Sequence, residues 1–342
     1  MPGTSHAPAA HHAHHRAHVA RDIRVDALRG LAIAMVVATH ILRLRAEFIH
    51  VAPWLVWVML AFNMPLFAFL SGWVLSGREG HDPVRFVGKK ALALVVPYLA
   101  WVAVELPLRH VKTADILPRL WAALLNPHGG LQMWFLLVLF WMFVVFTVAR
   151  AVSRSSVWTG AVGLAMGCLL LLPLPQTMAI DKIAWLYPFF IFGYLASRHR
   201  QAIGGTRGLV LMGGGAVLTG IGAFVLRGIA QRFDFALLGM AVCGLIYVLL
   251  PRRALLPQAW IGQRSMGVYG GQMVLLPYLI VGEGWGPAVK LPYVAIGAGW
   301  VGAIASWALI LAAVGALTWV IERIPPLKWV FLGQWPKTWG RA

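Results

Sequence analysis

The chain has 342 residues, 60% of them hydrophobic and only 12% charged, where an ordinary soluble domain is roughly 45–50% apolar and about 25% charged, so a typical soluble enzyme is excluded. Ten bilayer crossings of about 20 residues would occupy about 200 positions and leave roughly 140 for loops and ends, too few for a separate soluble domain. The net charge of +18, from 29 Lys and Arg against 11 Asp and Glu, lies at the edges of apolar segments, which points to membrane topology and away from nucleic acid.

In chain order, residues 1–23 are rich in Ala, His, Arg and Pro and hold six of the twelve histidines, His6, His11, His12, His14, His15 and His18. Without a periodic apolar face, or Cys or carboxylate partners to complete a metal site, they read as a disordered cytoplasmic tail. No apolar stretch with a small-residue cleavage site precedes residue 25, so no signal peptide is expected. Apolar runs then recur at 25–42, 53–75, 89–108, 131–149, 157–173, 184–197, 208–226, 234–250, 265–281 and 297–321. They predict an all-α integral membrane bundle of about ten transmembrane helices over residues 24–324, with 325–342 as a short cytoplasmic tail. Pro65, Pro97 and Pro188 predict kinks, and the glycines between Gly208 and Gly222 predict close helix contacts. The longest loop between spans is 109–130. Cys168 and Cys243 both fall in apolar segments, so neither a disulfide framework nor a metal site is expected.

Alternate loops divide the cations unevenly, 19 on the side of the N-terminus and 9 on the other, with Arg29 inside the first span. The positive-inside rule therefore places both termini in the cytoplasm of a cell (inner) membrane protein, as an even number of spans requires.

Ionisable groups within apolar spans are expensive and count as functional candidates. The first span holds Asp26, Arg29 and His40. An offset of eleven residues brings Arg29 and His40 within about 20° of the same helix face, with about 16.5 Å between them along the axis. Asp26 is one turn before Arg29 and can pair with it. His40 lacks a Cys, His or carboxylate ligand set nearby, which favours a general base or an acylated nucleophile over a metal ligand. The competing reading is a structural histidine bonded to a neighbouring carbonyl, with Asp26 and Arg29 as a paired interfacial anchor. Lys89 and Lys90 begin the third span on the cytoplasmic side, either as topological anchors or as phosphate ligands. Glu105 near the outer end of that span is a snorkelling group or lines an acceptor cavity. Ser71 has no nucleophile-elbow pattern around it and reads as a helix-packing residue.

Arg24–His40, with arginine, ten residues and histidine, resembles the opening motif of the acyltransferase-3 family of multi-span membrane acyltransferases. Phe62–Trp73, Lys89-Lys90 followed by Leu94–Tyr98, Met133–Leu136, Tyr187–Tyr194 and Ile261–Tyr269 resemble further family motifs in the same order, so the likeness runs from residue 24 to about 322. The resemblance implies an O-acyltransferase that moves an acyl group, usually acetyl, from cytoplasmic acyl-CoA to a hydroxyl of an envelope carbohydrate, a glycolipid or an exported metabolite. It implies acyl-CoA as donor substrate with no permanently bound cofactor. The family's histidine corresponds to His40 and its arginine to Arg29. With Asp26 these form the expected catalytic group, while Arg29, Lys89 and Lys90 are the expected donor ligands. Asn63, Trp134 and Glu105 are the candidate acceptor residues. The chain departs from many members in having Asn63 and Gln272 where they carry histidine, and Ala93 where a second arginine is usual. The rival function is a secondary transporter of a glycan or lipid precursor, but such proteins usually show repeated halves and no internal repeat is visible here.

Overall fold

Segments this apolar hide their backbone from lipid only by closing every hydrogen bond within helices, and the computed structural model is 89% helix with no strand among the described residues. Those residues are 22–44, 53–76, 82–108, 111–127, 133–199, 201, 205–225, 237–242, 244–245, 256–276 and 299–336. The helices are α1 (Ile23–Leu44), α2 (Pro53–Trp73), α3 (Pro83–Leu108), α4 (Ile116–Leu125), α5 (Trp134–Val152), α6 (Ser156–Cys168), α7 (Ile180–Arg198), α8 (Gly205–Val225), α9 (Leu256–Gln263), α10 (Ser265–Leu276), α11 (Gly299–Arg323) and α12 (Pro325–Leu332). Local chemistry marks their ends. Ser155 caps α6 by accepting from the Trp158 N–H at 3.0 Å, and two prolines open α12 where amide donors have no helical partner. Pro65, Pro97 and Pro188 all lie within helices that continue past them.

Among the described residues five helices, α1, α3, α5, α7 with its leading turn, and α11, are long and apolar enough to cross a membrane. The count of about ten is therefore met only in part. Helices α2 and α8, each of 21 residues, stand where spans were expected. The run at 157–173 is shorter than a span, because α6 ends at Cys168 and gives way to a single 3-10 turn. Most of 234–250 and the end of 265–281 lie outside the described residues, as do residues 1–21 of the tail. Three helices occupy stretches expected to be irregular. Helix α4 falls in the loop 109–130, α9 precedes the ninth expected span, and α12 lies in the C-terminal tail.

The helices share one main core, to which α1, α2, α3, α5, α7, α10, α11 and α12 all contribute. Lipid tails are as apolar as leucine, so association in a bilayer rests on close packing rather than on escape from water. Edge-on aromatic contacts join α5 to α7, with ring centroids 5.2 Å apart for Phe143 and Phe190 and 4.9 Å for Phe146 and Tyr194. Glycines supply the nearest approaches. A Cβ on Gly72 of α2 would strike the Phe190 carbonyl of α7, and one on Gly193 would strike the Phe69 carbonyl in return. Gly30 of α1 and Gly262 of α9 form a second reciprocal pair, facing the carbonyls of Gln258 and Asp26.

Candidate functional site

The first span is held on three sides. Val25, Leu28 and Ala32 pack with Leu66 and Leu70 of α2, Ala27 meets Ala259 of α9, and the Trp307 indole N–H of α11 donates to the Ala34 carbonyl at 2.8 Å. The remaining face carries Arg29, Ile33, Val36 and His40 at helical spacing. Ile33 and Val36 are 0% and 1% exposed and belong to the main core. The stripe that begins at Arg29 and ends at His40 thus looks into the bundle, with both polar ends half-buried and only aliphatic carbon between them. No hydrogen bond reaches the His40 imidazole from the described residues, whereas Thr39 beside it is tied to the Met35 carbonyl at 2.8 Å.

Asp26 is buried, and Gln263 at the end of α9 donates its side-chain N–H to the Asp26 carboxylate at 3.3 Å. Sequence reasoning had no partner for the Ile261–Tyr269 motif. The structure shows that its glycine and glutamine lock onto the Asp26 and Gly30 of the opening motif. The available signal was Gly-Gln immediately after an apolar run, a pattern that fits many helix ends and carries no address for its partner.

The two lysines take different environments. Lys89 is exposed, while the Lys90 ammonium sits 3.8 Å from the centroid of the Phe143 ring and 5.4 Å from that of Phe86, between α3 and α5. An aromatic face holds a cation in an apolar setting through its quadrupole, so Lys90 braces two helices as well as carrying charge.

Of the candidate acceptor residues, Asn63 is buried within α2, where its side-chain oxygen accepts from the Met64 N–H at 2.7 Å. Trp134 begins α5 half-buried, its ring edge-on to Phe135. Glu105 is 2% exposed and so belongs to the interior rather than to the lipid interface. Tyr98, seven residues and about two turns earlier on α3, lies on the same helix face. The Tyr98 hydroxyl donates to the Ala123 carbonyl at 2.7 Å, fastening α4 over this part of α3. Ser71 donates to the Phe67 carbonyl one turn back at 2.8 Å and serves packing.

A family model described as an acyltransferase domain matches residues 22–323. Nodulation protein NolL of Sinorhizobium fredii is 28% identical over 188 residues, covering 51% of this chain and 48% of the relative. Nodulation protein NolL of Mesorhizobium japonicum is 27% identical over 203 residues, covering 56% and 51%. The chain spans about half the length of the curated relatives it matches. No solved structure matches.

Proposed function

The chain belongs to the acyltransferase-3 family of membrane proteins, and from that premise we propose that it transfers an acyl group, in the first instance acetyl, from cytoplasmic acyl-CoA to a hydroxyl of an envelope carbohydrate, a glycolipid or an exported metabolite. The inward-facing stripe from Arg29 to His40 carries this reading. It sets a cation near the start of the first span, the cytoplasmic end in this reading, and an imidazole about 16.5 Å further along the same face, joined by the buried Ile33 and Val36. Arg29 suits a phosphate of the donor nucleotide because its planar fork makes paired hydrogen bonds. Lys89, which is exposed, adds positive charge near the donor's entry.

His40 takes the chemical step. The acceptor hydroxyl oxygen attacks the thioester carbonyl carbon while its proton passes to the imidazole. The carbon–sulfur bond breaks, and the proton returns to the departing thiolate. Proton transfer of this kind contributes about 10²–10⁴ in rate. Asp26, buried and bonded to Gln263, fixes the first turn of α1 and hence the bearing of Arg29 one turn on. Both termini lie in the cytoplasm in this reading, so donor and acceptor reach His40 from opposite ends.

Mass spectrometry of envelope glycans and lipids from cells with and without the protein tests the assignment. A lost acyl mass of defined size names the transferred group and its acceptor. Identical acylation in both, across glycans, lipids and secreted metabolites, overturns it.

A further inference from the structure

Gln272 of α10 is 0% exposed, and neither its amide nitrogen nor its carbonyl oxygen has a hydrogen-bond partner among the described residues. A buried carboxamide gives up its bonds to water and gains nothing until another polar group meets it. Such a side chain in a packed core marks a place where a polar molecule enters. On one flank Tyr269, one turn earlier on α10, is buried with its ring edge-on to Phe135 of α5, centroids 6.4 Å apart. On the other flanks α10 is clamped, with Gly270 against the Trp101 indole and Gly271 against Val314 of α11. Gln272 is therefore held in the interior, away from solvent.

Position and chemistry select the ligand. From the Asp26–Gln263 contact α1 runs on past Ala34, which bonds Trp307 of α11, and α10 runs back along α11 in the same sense, with Gly267 against Thr318 and Gly271 against Val314. Nine residues of helical rise keep Gln272 within about 13.5 Å of Gln263, while His40 stands about 21 Å along α1 from Asp26. Gln272 is thus reached before His40 by a molecule entering past Arg29. A phosphate at that depth calls for Arg or Lys. A neutral group with one donor side and one acceptor side complements a secondary amide. In CoA two secondary amides lie on the pantetheine arm between the nucleotide and the thioester sulfur. Resting on the donor assigned above, we infer that the Gln272 carboxamide pairs with a pantetheine amide of acyl-CoA and sets how far the thioester advances toward His40.

The test measures binding of two probes, CoA and adenosine 3′,5′-bisphosphate, to the full chain in lipid nanodiscs. The second probe carries two of the three phosphate groups of CoA, without the arm. Gln272→Met keeps the side-chain volume and removes the amide. It is expected to weaken CoA by about tenfold, the loss of one or two hydrogen bonds, while leaving the bisphosphate unchanged, and unchanged bisphosphate binding also reports that the variant is folded. Gln272→Asn, with the amide drawn back by one methylene, is expected to fall between the two. CoA binding equal in wild type and Gln272→Met overturns this inference and leaves the acyltransferase reading standing. Equal loss of both probes assigns Gln272 a structural role and overturns it as well. A wild type that binds neither probe overturns the donor assignment, and this inference with it.

Discussion

Gln263 donates to the Asp26 carboxylate at 3.3 Å across 237 residues of chain, and this contact joins two motifs that the sequence presents as unrelated. Around it the backbones of α1 and α9 touch through Gly30 and Gly262. The helix bearing Arg29 and His40 is therefore positioned in part by a helix of only eight residues.

Substituting Gly262→Leu is expected to part α9 from α1 and to lower stability by roughly 1–3 kcal/mol, the usual cost of overfilling a packed contact. Melting in detergent micelles reads this directly. Gly213→Leu on α8 is the control, since a Cβ there meets nothing within 4 Å, and it should melt as wild type. Equal melting of all three proteins would show that the glycine contact does not hold α9 in place.

His40→Ala is expected to reduce acyl transfer by about 10²–10⁴ while membrane levels and melting stay near wild type, because no hydrogen bond among the described residues ties the imidazole to the fold. Arg29→Lys keeps the charge and loses the fork, so the donor KM should rise by roughly tenfold with the acceptor KM unchanged. Turnover of the His40 variant near that of wild type returns this histidine to a structural role.

The C-terminal segment predicts a stability effect remote from the chemistry. Gly333 has φ +63° and faces the backbone of Ala93, while the Trp335 indole donates to the Leu92 carbonyl at 2.9 Å and the Trp101 indole to the Phe331 carbonyl at 3.1 Å. Gly333→Ala should cost about 1–2 kcal/mol from the left-handed backbone alone, and Trp335→Phe about 1 kcal/mol for the lost hydrogen bond. Thermal melting of each variant checks both numbers. Unshifted melting of both would mean that this segment does not help to hold α3.

The charge distribution carries an expectation of sidedness. Acyl-CoA is too polar to cross a bilayer, and Lys89 and Lys90 are among the 19 cations expected on the cytoplasmic side, with Arg29 near that end of the first span. Vesicles of known orientation, given donor at the cytoplasmic face only, are expected to acylate an acceptor confined to the other face. Transfer that requires both substrates on the cytoplasmic face rules out passage of the acyl group across the protein.

Apolar run length and the spacing of charges already determine that the chain is a helical membrane protein and that Arg29 and His40 share a face, while the family likeness came from the residues of motifs such as Arg24–His40. These properties are local, since each depends on helical periodicity or on the cost of a charge in lipid. Tertiary structure alone decided the rest. It turned the Arg29–His40 face inward by seating α2, α9 and α11 on the other sides of α1. It decided between the two readings of Glu105 by burying it in the interior, set Lys90 over Phe143, and left the Gln272 amide buried among groups from distant spans. Helices α4, α9 and α12 were illegible because they are only eight to ten residues long, too short to show a span's signal. Isolated helices of that length are marginal without neighbours, so what makes them helical is the backbone contact at Gly262, the Tyr98 hydroxyl on Ala123 and the seat of Gly333 on Ala93. Those contacts join residues far apart in the chain, and no local pattern encodes them.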